Sequence, residues 1–579
     1  MTLAAAGGVP TTVRCRPVAT DLVGALPAGL HPVVRRVLAA RNVAPAQLRA
    51  GLADLEPVNS LPGVAAAAAR LAAARAAGER VLVIGDFDAD GATATALAMT
   101  CLRAFGFAAS GYLVPDRFTL GYGLSPGVAE LAAGHRPCLL LTVDNGITSF
   151  DGIRRAAELG MEVLVTDHHL PAAELPPAAC IVNPNLGGST FASPALCGVG
   201  VAFYVMAATG RLLASQGLVT PELAREAVTA CLDLVALGTV ADLVPLDFNN
   251  RILVAEGLRR IRAGRTRPGI EALFRVAGRE PARARSSDLG FAIGPRLNAA
   301  GRLTDMRLGI ECLLAADGAA AAAAAGQLDE LNRERRSLQE RMQAEASDQL
   351  AGLAGDAGAV TCLFDEGWHP GIVGLVASRI REHTGRPAIA FARAGEPGLL
   401  RGSARSVEGI HVRDAIANAV AGLGASTIRF GGHAMAAGLT LAEAEFPRFQ
   451  AAFAAELDRL GSTCGAARVL WTDGALEPAD LDLAVAEALA AAGPWGQAFP
   501  EPLFDNRFLV KDQRVVGERH LRLRVQHPDG GAPLDAVAFH QAPLPGGRSA
   551  SARLVYRLDV NHYRDSRTAQ LVVEHLECV

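Results

Sequence analysis

Val81-Leu-Val-Ile-Gly-Asp-Phe-Asp-Ala-Asp-Gly91 runs an apolar segment of strand length directly into three alternating aspartates and a glycine. It reads as a buried strand carrying acids at its carboxyl end, the edge where open α/β sheets place their ligands. Asp86, Asp88 and Asp90 lie two apart, so an extended backbone puts all three on one face, and the following turn fans them. Carboxylates packed this closely repel one another unless a cation neutralises them. The plainer alternative is an Asp-rich turn that caps a helix starting near Ala92.

Two later stretches weigh against that alternative. Cys138-Leu-Leu-Leu-Thr-Val-Asp144-Asn-Gly-Ile and Glu162-Val-Leu-Val-Thr-Asp167-His-His169 repeat the pattern of an apolar strand ending in ligand-type side chains. Helical patterns over Gly63–Gly78 and Thr93–Phe105, and a short strand over Gly111–Val114, alternate with them, which predicts a parallel sheet. Three strands tipped with acids or histidines make a metal centre a better reading than three separate caps. Leu232-Asp-Leu-Val-Ala-Leu-Gly-Thr-Val-Ala-Asp242 delivers one more acid, which alone would be an ordinary turn. It gains weight because two cations need a further oxygen ligand.

At 579 residues the chain should form about three or four domains, and 50% hydrophobic residues supply the cores. A net charge of −4 excludes wholesale coating of nucleic acid but not a local basic channel. Lys511 is the single lysine, so arginine identity by itself says little. The ten cysteines are dispersed without a CxxC pair, as in reduced core residues of a cytoplasmic protein. The N-terminus has no signal-peptide pattern, and no uninterrupted apolar run reaches spanning length, so a soluble cytoplasmic protein is expected.

From Arg251 to Arg307 thirteen arginines face five acids, around Gly294-Pro-Arg-Leu-Asn-Ala-Ala-Gly-Arg302. Most read as a solvated basic face, but Arg296, Asn298 and Arg302 stand among small residues where backbone can approach a phosphate. Residues 308–353 read as one long connecting helix. A second α/β unit follows, with strands over Ala359–Phe364 and Pro387–Phe391 and a helix ending at His383. It carries Gly402-Ser-Ala-Arg405 and Phe430-Gly-Gly-His433-Ala-Met-Ala-Ala-Gly438. Ser403, Arg405, Gly431, Gly432 and His433 suit an anion pocket, with a merely structural histidine as the alternative for His433. After Cys464, short alternating strands separated by Pro and Gly predict a small antiparallel barrel. Its Leu521-Arg-Leu-Arg-Val525 is either a solvated face or a single-strand groove.

GDFDADG, VDNGI, TDHH, GTVADLVPL, GPRLNAAGR, the SAR triplet and FGGHAMAAG, in this order, resemble the DHH phosphoesterase superfamily, in particular its single-strand-specific 5′-to-3′ DNA exonucleases. The resemblance covers roughly residues 60 to 579. It implies an α/β multidomain protein: an N-terminal extension (1–60), a DHH parallel-sheet domain (61–307), a connecting helix (308–353), a DHH-associated domain (354–464) and a C-terminal OB-fold β-barrel (465–579). It also implies two divalent cations, Mn²⁺ or Mg²⁺. Asp88, Asp90, Asp144, His168 and Asp242 would be ligands, and Asp86 and His169 ligands or close support. Ser403 and Arg405, with Arg302, would hold a 5′-terminal phosphate. Pro494-Trp-Gly-Gln-Ala-Phe-Pro-Glu-Pro is read as a connector variant. Single-stranded DNA is the expected substrate in recombination and repair, with a helicase and a single-strand binding protein as partners of a monomer. The alternatives are a small-nucleotide phosphodiesterase or oligoribonuclease and a non-catalytic DNA-binding scaffold. The first leaves a C-terminal barrel without a purpose, and the second should have lost carboxylates.

Overall fold

The computed structural model describes residues 11–117, 119–352, 362–424, 427–461, 468–517, 520–539, 541, 544, 551–563 and 566–578. They divide into two compact units. One is Arg49–Arg335 with Pro494–Pro500; the other holds the described residues of Met1–Leu48, Arg336–Gly493 and Glu501–Val579. The first strand, β1 (Thr11–Cys15), belongs to the second unit, where it pairs in parallel with Arg468–Thr472. The N-terminal segment is thus stitched to the chain's last third.

In the first unit β2 (Val81–Ile84), β3 (Ser110–Leu113), β4 (Leu139–Val143), β5 (Glu162–Thr166) and β6 (Cys180–Val182) form a parallel sheet in the order β3-β2-β4-β5-β6. The central strands are continuous apolar runs because helices cover both faces. Leu82, Ile84, Leu140, Val163 and Val165 pack on one side against Leu124, Val128 and Ile153. Because β2, β4 and β5 are adjacent and in register, their carboxyl ends meet along one edge. The three tips singled out in the sequence are therefore neighbours in space.

Helices complete this unit. Ala89–Ala104 follows the DADG turn, and Gly198–Ser215 is apolar enough to span a membrane by composition yet is 72% buried, as a core helix. The run ending in Asp242 is helix Leu232–Ala241. GPRLNAAGR is also a helix, Gly294–Leu303, with proline in its first turn and a π-turn, Leu289–Ile293, before it. The expected continuous helix over 308–353 is broken: Arg307–Leu314 ends, and Gly318–Gly352 begins anew with Asp317 Oδ1 accepting from Ala319 and Ala320 N–H. The segment Pro494–Pro500 is more than a connector. Trp495 and Phe499 stack at 5.1 Å, Arg251 lies 4.4 Å over Phe499, and Ser286 donates to the Trp495 carbonyl at 2.6 Å.

In the second unit β7 (Cys362–Phe364), β8 (Ala388–Arg393), β9 (Leu399–Arg405), β10 (Arg429–Gly432) and β11 (Ala436–Ala442) form a mixed sheet in the order β10-β11-β9-β8-β7. The expected strand start at Ala359 lies outside the described residues. Phe391, Leu400, Ile416, Phe449 and Phe453 fill its core. Strand β12 (Arg468–Thr472) takes up β1. Then β13 (Phe504–Val516), β14 (His520–His527), β15 (Gly530–Phe539), β16 (Ser551–Tyr563) and β17 (Ser566–Cys578) close into a barrel. The barrel is not wholly antiparallel, because β15 and β17 pair in parallel, the contact that closes it.

Candidate functional site

Asp88 caps helix Ala89–Ala104, accepting from Asp90 and Gly91 N–H at 2.9 and 3.0 Å. The cap and the cluster are therefore one device, since the cap is what fans the three acids. Gly91 is required there: a Cβ would stand 2.7 Å from the Asp86 backbone nitrogen. Asp90 turns into the unit and accepts from Gly198 N–H (2.7 Å) and Val199 N–H (2.9 Å), at the positive end of helix Gly198–Ser215. At the second tip Asp144 adopts a left-handed backbone, φ 63°, which aims its carboxylate back over the sheet edge. Asn145 ties the ends of β2 and β4 by donating to the Ile84 and Val143 carbonyls. A Cβ on Gly198 would lie 2.5 Å from Asp144 Oδ1, so only glycine lets this helix approach.

The third tip splits its two histidines. Asp167 is buried and accepts from Ile147, His168 and His169 N–H and pairs with His169 Nδ1 at 2.7 Å. Burial opposes ionisation of Asp167, but the bonds and charge from His169 outweigh it and hold the carboxyl below its ordinary value. Burial would lower His169, yet Asp167 and the surrounding aspartates raise it to about 9. His168, by contrast, is brought down to about 4 by burial and by the His169 charge. His168 is thus neutral at pH 7, with Nε2 3.1 Å from Asp144 Oδ1, 3.6 Å from Asp242 Oδ2 and 4.0 Å from Asp90 Oδ2.

Ligand-type atoms converge in three overlapping groups: Asp86, Asp88 and Asp144; Asp90, His168 and Asp242; and Asp144, His168 and His169. Within each, the atoms lie within 4.8 Å of one another. All seven residues expected at the centre are therefore brought together. Burial, then charge from neighbouring aspartates, pushes the carboxyls of Asp86, Asp144 and Asp242 well above the usual range and Asp90 up to about 7. Asp86 Oδ1 and Asp144 Oδ1 are buried and accept no hydrogen bond. Buried carboxylate oxygens without donors, facing a neutral imidazole, fit hard divalent cations.

Tyr122, Asp167 and Asn298 belong to the site although the sequence did not single them out for these roles. Tyr122 O–H donates to the Asp144 carbonyl at 3.3 Å, and its ring stands edge-on to Phe87 and His169. Asn298 was expected to meet substrate. Its Oδ1 accepts from Ala89 N–H at 2.8 Å, so it also braces the DADG turn. The expectation for Arg296 is corrected. It is 7% exposed, with Nη2 2.8 Å from Asp329, while Nη1 donates to the Ala292 carbonyl, leaving no face for a phosphate. Arg302 lies half-buried in the last turn of the same helix.

In the second unit Ser403 and Arg405 share the half-exposed face of β9, whose alternate residues Leu400, Gly402 and Ala404 are buried. Register sets Ser403 beside Gly438 of β11, and Gly438 beside Gly431 of β10. Gly431, Gly432 and His433 are exposed on that sheet. Arg405 Nη1 donates to Ser403 Oγ (3.0 Å) and the Ala404 carbonyl (2.8 Å), and no carboxylate pairs it among the described residues. Burial and the nearby Arg381 charge lower its pKa, the mark of a cation lacking a counter-ion. A Cβ on Gly374, in the first turn of helix Val373–Thr384, would lie 2.9 Å from Arg405 Nη2 and 3.1 Å from Ser403 Oγ. A helix N-terminus, a hydroxyl and an unbalanced guanidinium thus converge. On the barrel Arg522 and Arg524 both pair with Asp535, at 2.9 and 3.0 Å, so these two arginines are not a bare cationic row.

The sequence matches the DHH family, N-terminal domain, over residues 80–239, the DHHA1 domain over 355–458 and the RecJ OB domain over 472–575. It is 48% identical to the single-stranded-DNA-specific exonuclease RecJ of Dickeya dadantii, over 98% of this chain and 99% of the relative. The RecJ of Escherichia coli is 45% identical, over 96% and 97%. The structure resembles that of RecJ from Thermus thermophilus in complex with Mn²⁺, with a TM-score of 0.80 and 30% identity, covering 98% of this chain and 79% of that one. A second structure of that protein, with Mg²⁺, gives 0.74 and 29% over 98% and 78%. A carboxylate-and-imidazole centre on the edge of a DHH sheet, a DHHA1 sheet and a RecJ OB barrel in one chain, with relatives matched end to end, place this chain in the RecJ family.

Proposed function

We propose that this chain is a single-stranded-DNA-specific exonuclease that hydrolyses phosphodiester bonds from the 5′ end, using two divalent cations, Mn²⁺ or Mg²⁺. The observation that carries it is the convergence of the buried, donor-free oxygens of Asp86 and Asp144, the carboxylates of Asp88, Asp90 and Asp242, and the His168 imidazole on one sheet edge. Asp88, Asp90, Asp144, His168 and Asp242 are the proposed ligands, with Asp86 as a further oxygen donor. His169, held charged by Asp167, is better suited to support than to ligation. When bound, the cations supply a hydroxide from water near neutral pH and neutralise charge growing on the phosphate. The chain's own part is to keep His168 unprotonated, to aim Asp144 through its left-handed backbone and to hold Asp90 by two backbone donors.

Ser403, Arg405 and the N-terminus of helix Val373–Thr384, with Gly431, Gly432 and His433, form the proposed pocket for a 5′-terminal phosphate. A terminal phosphate carries more charge than an internal diester, so an arginine without a counter-ion discriminates ends. The barrel is assigned the downstream single strand, by its likeness to RecJ OB domains and by exposed Val515 and Val516 on β13 and Phe539 on β15, the two strands that flank β14. The proposed setting is recombination and repair in the cytoplasm, which suits the free state of every described cysteine. A helicase and a single-strand binding protein are proposed partners of a monomer, since the enzyme needs an exposed strand. The decisive assay compares 5′- and 3′-labelled single strands, with duplex and cyclic-dinucleotide controls, in Mn²⁺. Release of mononucleotides from the 5′ end of single strands alone is expected; preference for the dinucleotide or the duplex would overturn the reading.

A further inference from the structure

The contacts assigned so far hold phosphates, and none of them holds a base near the metal centre. The π-turn Leu289–Ile293 offers one. Leu289 and Ile293 are fully buried, whereas Phe291 between them is 77% exposed, the most exposed large apolar side chain among the described residues. The turn is docked on the end of the helix that delivers Asp242. A Cβ on Gly290 would stand 3.1 Å from Val240 Cγ1, and one on Gly294 would stand 3.0 Å from Ala241 Cβ. The next residue is Asp242 itself, followed by Leu243, which is 64% exposed and holds a left-handed backbone, φ 58°. A wide helical turn and a left-handed leucine are both costly, and both flank one metal-site carboxylate. Nothing in the folding of this unit requires Phe291 to face water.

We propose that Phe291 is a stacking platform for a nucleobase of the strand being cleaved, beside Asp242. This rests on the reading of the chain as a single-strand exonuclease. An aromatic face accepts any base, as an enzyme that degrades a strand whatever its sequence requires, and it selects for an unpaired base whose face is open. Base stacking of this kind gives affinity without hydrogen-bond readout.

The test is cleavage of 5′-phosphorylated oligonucleotides that carry one abasic nucleotide, walked a position at a time from the 5′ end. Wild type is compared with Phe291→Ala, Phe291→Leu and Phe291→Trp. Phe291→Ala should raise KM about 10- to 100-fold on intact strands, Phe291→Leu should recover little, and Phe291→Trp should restore binding. The Mn²⁺-induced thermal shift should be the same in all four proteins. At one abasic position wild type should lose as much as Phe291→Ala loses on intact DNA, and the variant should lose nothing more. Tryptophan fluorescence of Phe291→Trp should be quenched on adding an oligonucleotide. If Phe291→Ala cleaves intact strands like wild type, or if the two losses multiply at every abasic position, the proposal is wrong and the residue serves another surface. If wild type itself does not cleave single strands, the functional reading fails instead, a separate result.

Discussion

Asp144→Asn should make the metal-free protein more stable while destroying its activity. Asp144 is buried, its Oδ1 accepts no hydrogen bond, and its carboxyl is pushed well above the usual range by burial and then by Asp90, Asp88 and Asp86. Asparagine keeps the shape and tolerates the left-handed backbone at φ 63°. With ligand atoms of Asp86, Asp88 and Asp144 within 4.8 Å, each ionised pair repels by about 3.5 kcal/mol at an effective dielectric of about 20. The penalty cannot exceed the cost of keeping a proton on an aspartate of ordinary pKa 3.8, about 6 kcal/mol at pH 8 and about 2 kcal/mol at pH 5.5. The folded state holds this proton more tightly than the unfolded chain. Metal-free stability is therefore fully present below the unfolded pKa and is lost as pH rises through the folded one. The gain for Asp144→Asn should then be about 2–5 kcal/mol at pH 8 and shrink below about 2 kcal/mol at pH 5.5. The assay is urea unfolding of the full chain in chelator at the two pH values, repeated with Mn²⁺. Added Mn²⁺ should stabilise wild type well above the variant, and cleavage should fall by orders of magnitude. A variant less stable than wild type in chelator at pH 8, or equally stabilised by Mn²⁺, would refute a donor-free oxygen waiting for a cation.

Three shorter expectations accompany it. Arg296→Ala removes one of the two arginines that pair with buried Asp329, leaving Arg333, and should cost about 1.5–3 kcal/mol of stability, with KM for single strands unchanged at a temperature where the fold persists; a selective rise in KM would return Arg296 to the substrate. Gly238→Ala places a methyl 2.7 Å from Asp90 Oδ1 and 2.4 Å from Thr93 Oγ1, so Mn²⁺ affinity read by calorimetry should fall at least about tenfold, the change that about 1.4 kcal/mol of displacement produces. Arg405→Ala should weaken 5′-phosphorylated strands about 10- to 100-fold and 5′-hydroxyl strands little, in single-turnover cleavage of matched oligonucleotides; equal losses on both would leave Arg405 a structural role.

What could be read from the sequence is what neighbours along the chain encode. The strands Val81–Ile84, Leu139–Val143 and Glu162–Thr166 announce themselves by apolar runs, and their acids sit where the runs end, so the cluster of ligand-type side chains is legible in the sequence. The partners that the sequence does not show at the site are long-range. Asn298 braces Ala89 across 209 residues, and Arg296 is neutralised by Asp329, 33 residues on, where nothing local marks a pair. GPRLNAAGR looks like a phosphate loop because glycine and asparagine favour turns, yet proline in the first turn and the alanines let tertiary packing make it a helix. The Pro494–Pro500 segment looked like a connector because its anchor, Arg251 over Phe499, lies 248 residues earlier in the sequence. Asp167 reads from the sequence as part of a strand tip without a role of its own, since only the structure shows it charging one histidine and leaving the other neutral.

That division between His168 and His169 explains how one small volume can hold so many acids without collapsing into hydrogen bonds among themselves. The donors are backbone groups: the N–H groups of Asp90 and Gly91 serve Asp88, those of Gly198 and Val199 serve Asp90, and those of Ile147, His168 and His169 serve Asp167. Asp88, Asp90 and Asp167 are thereby pinned from behind, while Asp86 Oδ1 and Asp144 Oδ1 are buried and accept no hydrogen bond. His169 pairs with Asp167, whereas burial and the His169 charge hold His168, which faces Asp144, Asp90 and Asp242, below the usual imidazole range. Had His168 been the protonated ring, it would itself neutralise those carboxylates and compete with a cation for them. The arrangement therefore trades stability of the metal-free fold for ligands that need no rearrangement when the ion arrives, which is where electrostatic catalysis gains most.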